Sequence, residues 1–276
     1  MKKRAWVVAA CLAVLYLVVA FSGRLADRLI LFPTTYRIEP GGAQRRTIPF
    51  QNGELEIWTA RLQLAQRNGE PAFYVLRFYG NADRAERWAG LEADEWNNRA
   101  VELWGVNYPG FGRSTGPATL RRMADAGLAA FHAIKTAAGE KPIILSAASI
   151  GTTVALHVAA EAEIAGLVLH NPPALRQLIV RNFGWWNLWL LAGPVAAQIP
   201  RDLDSVANAQ RAHAPAIFLL AERDELVTPR FQRLVVDAYA GEKRVVILPG
   251  AHHNSVLEGT IMADVYKAYD WLLARR

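Results

Sequence analysis

Cysteine is almost absent from this sequence. Cys11 stands alone among 276 residues, so no internal disulfide can form and no cysteine metal cluster can be built. Histidine is sparse too. The adjacent pair His252 and His253 has neither a His-x-x-x-His spacing nor a nearby carboxylate set, so no metal site is read. No glycine-rich phosphate loop follows the first strand pattern, and no cofactor is expected. Long runs of one charge are missing as well. The net charge is +6, but the basic clusters Lys2-Lys3-Arg4, Arg45-Arg46 and Arg121-Arg122 are short and carry no nucleic-acid motif. They read as solvated surface. Low-complexity tracts and internal repeats are absent.

What is present is apolar residue, at 52% of the chain against 20% charged. That is enough for one sizeable core. The N-terminus concentrates it. Residues 5–23 carry no charge and follow Lys2, Lys3 and Arg4. A spanning helix needs ~20 apolar residues, and flanking basic residues favour the cytoplasmic side. The expectation is a single N-terminal membrane anchor within residues 1–23, with the folded domain on the non-cytoplasmic side. A cleaved signal peptide is the rival, with Ala20-Phe21-Ser22 as a small-x-small site before Gly23. A second membrane contact is suggested by residues 183–191, where Phe183, Trp185, Trp186 and Trp189 crowd together; indole rings favour membrane–water interfaces. A lid or packing role suits the same residues.

Residues 24–44 read as a linker. Residues 45–50 and 54–64 then read as two strands around the turn Gln51-Asn52-Gly53, a hairpin signal. From about residue 71 onward, strands and helices alternate. The strand patterns are short continuous apolar runs, the signature of a parallel sheet covered by helices on both faces. The fold class is therefore α/β: a mostly parallel twisted sheet, an antiparallel hairpin at one edge, and an insertion at about 174–212 placed like a lid.

In such sheets ligands bind beyond the carboxyl ends of the strands, so the loops there hold the candidates. Ser149 lies where a strand turns into a helix, with Ala147 two residues before it and Gly151 two after. That spacing of small residues suits an exposed nucleophile on a strained turn; an N-cap serine is the plainer role. Ser146 has poorer flanks. Asp224 follows a later strand, with Glu222 and Glu225 as competitors. His252 and His253 follow the last strand, and histidine is the base suited to neutral pH. Gly80 and Asn81 follow an early strand. The backbone N–H groups of Asn81 and Ile150 are candidate oxyanion donors. Taken together, Ser149, Asp224 and His253 run in serine–acid–histidine order, each after its own strand.

These pieces resemble the α/β-hydrolase superfamily, and within it the Bem46-like and ABHD-like membrane-anchored serine hydrolases. The matching stretches are FYGNAD, NYPGFGRSTGPAT, SAASIGT, AERDELVTP and GAHHNS, spread over nearly all of residues 45–276. Three positions depart from the pattern: Tyr79 stands for the usual histidine before Gly80, Ala147 for glycine at the elbow, and Ser255 for aspartate after His-Asn. The resemblance implies an ester-cleaving serine hydrolase with Ser149, Asp224 and His253 as catalytic residues and favours His253 over His252. The implied substrate is a small-molecule or lipid ester. A thioesterase or peptidase on the same scaffold, or a non-catalytic binding protein, are the alternatives. Oligomeric state is not legible.

Overall fold

The computed structural model describes residues 2–20, 24–67, 69–96 and 99–275. The continuous apolar runs become an eight-stranded sheet. Its strands are β1 (Gln44–Phe50), β2 (Gly53–Arg61), β3 (Phe73–Phe78), β4 (Val101–Val106), β5 (Ile143–Ala148), β6 (Gly166–His170), β7 (Ala216–Ala221) and β8 (Lys243–Leu248). They lie in the order β1-β2-β4-β3-β5-β6-β7-β8. The β1–β2 and β2–β4 pairs are antiparallel; all others are parallel. Every residue of β4 and of β7 is buried, as strands covered on both faces require. The edge strand β8 buries only Leu248.

Two apolar layers flank the sheet. On one face lie α5 (Leu120–Ala138) and α6 (Gly151–Glu161). Helix α5 buries Leu120, Met123, Ala124, Gly127, Ala130, Phe131 and Ile134, a stripe at helical spacing. Thr119 caps its start by accepting from the Arg122 N–H, and Gly139 at φ 59° ends it. On the other face lie α4 (Ala85–Asp94) and α11 (Gly259–Leu273), where Trp96 stacks on Tyr269 at 4.4 Å. Helix α10 (Pro229–Ala238) follows β7.

The hairpin is present, with a shifted turn. Phe50 pairs with Gly53, so the loop is Gln51-Asn52, and Gln51 takes the positive φ of 50°. Gly53 is needed for another reason: a Cβ there would sit 2.5 Å from the Thr115 side chain. Strand β2 stops at Arg61, and the apolar residues after it enter the short helix α3 (Gln63–Arg67). The insertion between β6 and β7 folds as α7 (Leu175–Phe183), a 3-10 turn at Trp185–Asn187, α8 (Ala192–Ala197), a second 3-10 turn at Arg201–Leu203, and α9 (Ser205–Ala209). Helix α9 packs on α6.

The N-terminus overturns one expectation. Residues Lys2–Ala20 form a helix, α1. Yet among the described residues no helix is long and apolar enough to cross a membrane. Lys2, Lys3 and Arg4 occupy the first turn of α1. The uncharged remainder, residues 5–20, reaches about 24 Å at 1.5 Å per residue, short of the ~30 Å hydrocarbon core. The spanning anchor is therefore withdrawn, and with it the placement of the domain on the non-cytoplasmic side. Membrane contact through residues 183–191 loses its support as well. Instead, α1 meets that stretch: Tyr16 Oη donates to the Leu190 carbonyl at 2.6 Å. The candidate cleavage site at residues 20–23 extends outside the described residues.

Within residues 24–44, Leu25–Ile30 form a short helix, α2. The strap that follows is bound to the body. Arg84, almost wholly buried, donates to the carbonyls of Thr34 and Tyr36. Thr34 O also accepts from the Gly112 N–H at 2.9 Å.

Candidate active site

Strand β5 ends at Ala148 and α6 begins at Gly151, so the chain must reverse in two residues. Ser149 does this at φ 51°, a region disfavoured for residues with a Cβ. The strained residue is held locally. Its N–H donates to the His170 carbonyl at 2.8 Å, and its carbonyl accepts from the Thr152 N–H at 3.0 Å and the Thr152 hydroxyl at 2.7 Å. Gly151 is forced, because a Cβ there would lie 2.5 Å from the carbonyl oxygens of both Phe78 and Tyr79. Ala147 is fully buried in the α5–α6 core; a methyl fits where the resembling pattern has glycine.

The loop after β8 brings His253 to the serine. Its Nε2 lies 3.0 Å from Ser149 Oγ, and its Nδ1 lies 2.7 Å from Asp224 Oδ2. Asp224 is completely buried. Its carboxylate accepts from the backbone N–H groups of Leu226 (2.9 Å) and Val227 (2.7 Å) and from Gln232 Nε2 (3.0 Å), besides His253. A carboxylate saturated with donors fixes the imidazole: Nδ1 carries the proton toward Asp224, leaving Nε2 to accept from the serine hydroxyl. The competitors lie elsewhere. His252 is exposed and pairs with Glu225 at 3.1 Å, Glu222 accepts from the Gly250 N–H, and Ser146 Oγ receives Arg77 on the α4 side of the sheet.

Ser149 and His253 open onto a cleft of about 170 Å³, walled also by Gly80, Asn81, Asp83, Leu226 and Asn254, with Asp224 buried behind the imidazole. A Cβ on Gly80 would stand 3.5 Å from that of Ser149. Asn81 lines this cleft, and Ile150 directly follows Ser149 at the start of α6. Neither backbone N–H meets a protein acceptor among the described residues. Tyr79 stays out of the cleft. Its ring is buried in the α4 layer under the Arg77 guanidinium, and burial holds its phenol well above the usual range. Among the described residues no cluster of His, Cys, Asp or Glu side chains could hold a metal ion.

Three participants have no sequence signal of their own. Gln232, fully buried on α10, braces Asp224. Asn171, at φ 49° after β6, donates through Nδ2 to the His253 carbonyl at 3.1 Å and accepts from the Ala221 N–H at 2.8 Å. Its place after a strand was the one available hint. His170 lines the cleft, with its Nε2 buried and unpartnered. Burial, then the Arg77 and His253 charges, push its pKa down to about 4, so it is neutral beside the Ser149–His253 pair at pH 7.

Comparison with known proteins agrees with this architecture. A family model described as the alpha/beta hydrolase fold matches residues 74–205. The chain superposes on Est1E of Butyrivibrio proteoclasticus, solved with ferulic acid bound, at TM-score 0.68 and 19% identity, covering 83% of this chain and 99% of that one. It superposes on an esterase of Pyrococcus furiosus at TM-score 0.65 and 16% identity, covering 89% and 97%. An uncharacterized protein of Mycobacterium tuberculosis is 27% identical over 124 residues, and the match spans 44% of this chain and 42% of that relative.

Proposed function

We propose that this chain, which has the α/β-hydrolase fold, is a serine hydrolase that cleaves esters through an acyl-enzyme. The observation that carries the reading is the His253 imidazole, within hydrogen-bond distance of Ser149 on one nitrogen and of Asp224 on the other. In the first half-reaction His253 Nε2 takes the hydroxyl proton as Ser149 Oγ bonds to the ester carbonyl carbon. The resulting oxyanion is received by the N–H groups of Asn81 and Ile150, with the positive end of α6 behind Ile150. Imidazolium then gives its proton to the departing alcohol as the C–O bond breaks. Water enters by the same route: His253 takes its proton, its oxygen attacks the acyl carbon, and Ser149 leaves reprotonated. Asp224 orients the imidazole throughout and stabilises its cation.

The substrate is proposed to be a small or lipid ester with an apolar part. An apolar groove of about 230 Å³ lies between α2 and the insertion, walled by Leu29, Ile30, Ile179, Phe183, Trp186 and Val195. It suits an acyl chain, with residues 174–212 as the lid of a hydrolase domain spanning 45–276. The narrower kinship with Bem46-like and ABHD-like enzymes is offered on motif resemblance alone.

Labelling with a fluorophosphonate tests the reading. The folded wild type is expected to label, and Ser149→Ala and His253→Ala to lose labelling, while His252→Ala keeps it. A folded wild type that neither labels nor hydrolyses p-nitrophenyl esters would overturn the proposal.

A further inference from the structure

Asn81 enters the mechanism above only through its backbone N–H. Its side chain points elsewhere and is nearly saturated. Oδ1 accepts from the Phe32 N–H at 2.9 Å and from the Ala82 N–H at 3.0 Å, and Nδ2 donates to the Ile30 carbonyl. Ala82 is itself a non-glycine residue at φ 61°. The carboxamide therefore clamps the strained peptide that follows Asn81 and ties the loop to the C-terminal end of α2.

The other end of α2 is held by a second carboxamide. Gln198, which closes α8 in the insertion, accepts from the Ala26 N–H at 3.1 Å through Oε1 and donates to the Ala20 carbonyl through Nε2. Asp27, in between, accepts from the Leu120 N–H at 2.8 Å and pins α2 to the start of α5. So α2 is a short bar, fixed to the candidate oxyanion loop by Asn81 and to the lid by Gln198. Within the loop itself, Gly80 supplies no side chain to restrain the Asn81 amide, and Tyr79 is turned away into the α4 layer.

We propose that the Asn81 side chain is a positioning residue for its own N–H, and that α2 and Gln198 hold it there from the lid. This rests on the serine-hydrolase reading. It assigns residues 24–32 a part in setting the oxyanion hole. It also makes the aim of that amide depend on a lid residue outside the cleft.

The test uses the full chain and a short-chain p-nitrophenyl ester, whose acyl group is too small to fill the lid groove. Active serines are counted by fluorophosphonate titration. Asn81→Ala is expected to lower kcat per titrated site by about 10–100-fold with KM moving less than about 3-fold, as befits a misaimed transition-state donor. Phe32→Pro removes one donor to Oδ1 without touching Asn81; Leu31 before it is already extended, at ψ 132°, as a following proline requires. Phe32→Pro and Gln198→Ala are each expected to lower kcat per site by about 3–10-fold. Gln198→Ala should add nothing further in the Asn81→Ala background, because both act through one linkage. If Asn81→Ala fails to fold, the other two variants carry the test. A kcat per titrated site that stays at the wild-type value, with only the titratable fraction or the melting temperature reduced, overturns the inference and leaves Ser149 chemistry standing. A folded wild type that does not titrate removes the hydrolase reading, and this inference with it.

Discussion

His170 shows how a residue without a catalytic assignment can set the acid limit of the fold. Its side chain lies between the cleft and the Arg77 layer, with Nε2 unpartnered. Burial first, then the neighbouring cationic groups, lower its pKa from 6.5 to about 4. The unfolded chain binds a proton at this residue below about 6.5, and the folded chain does not until about 4. Stability contributed by neutral His170 is thus fully present above pH 6.5 and is lost as pH falls toward 4. The loss is up to about 3 kcal/mol, at 1.36 kcal/mol per pKa unit. His170→Gln is expected to flatten the fall in melting temperature between pH 6.5 and 4; an unchanged slope would show that other groups dominate acid unfolding. None of this was legible beforehand. A histidine at a strand end looks the same in sequence whether its ring faces water, as at His252, or a buried cluster. The same ambiguity hid Gln232 and Asn171, whose value lies in partners far away along the chain. The meeting of the Ser149, Asp224 and His253 side chains was legible because each follows its own strand in a recognisable order.

At the scale of elements, the turn between β5 and α6 carries the tightest constraint. Gly151→Ala would push a methyl onto two backbone carbonyls, that of Phe78 at the end of β3 and that of Tyr79 in the loop after it. Backbone cannot yield as a side chain tip can, so a cost of about 1–3 kcal/mol is expected. Melting should drop by several degrees, and fluorophosphonate labelling should slow, because the loop displaced is the one that carries Gly80 and Asn81. A variant with wild-type melting and labelling would show that the turn has slack. Long elements were readable from periodicity and apolar runs: the alternation expected from about residue 71 onward is that of β3 to β8 with α4, α5, α6, α10 and α11. Short elements were not. Helices α2, α3, α8 and α9 have five or six residues each, too few to show a period, and they form because tertiary contacts hold them. Helix α1 was legible as a helix but not as a span. The charge-free run was counted through residue 23, whereas the described helix covers Lys2–Ala20 and spends its first turn on charges.

The sheet order explains why remote segments meet at one point. From β3 the chain steps to β4 on one side, and β5 then inserts on the other, pairing Phe78 with Ala147. This reversal is a topological switch point, where strand-end loops part and leave a crevice. It sets the loop carrying Asn81 beside the turn carrying Ser149. The N-terminal strap is tied to the segment after β3 from outside the sheet, by the Asn81 and Arg84 side chains. Nested truncations separate its parts. Removing residues 1–19 takes away α1 up to Ala20, with the Tyr16 hydrogen bond to Leu190 of the insertion and exposed apolar side chains such as Trp6, Leu12 and Leu15, and keeps the Ala20 carbonyl that accepts from Gln198. That shortened chain is expected to fold, aggregate less, and keep kcat per titrated serine within about 2-fold. Removing residues 1–32 also deletes α2, leaving Asn81 without Ile30 and Phe32 and Leu120 without its Asp27 acceptor. Its kcat per site should fall at least as far as in Asn81→Ala, and its melting temperature should drop with the lost burial of Ala26 and Leu31. Equal activity per site in the two truncated chains would mean that the strap is only packed against the oxyanion loop. A fall confined to the longer truncation would place α2 among the parts that set the reaction.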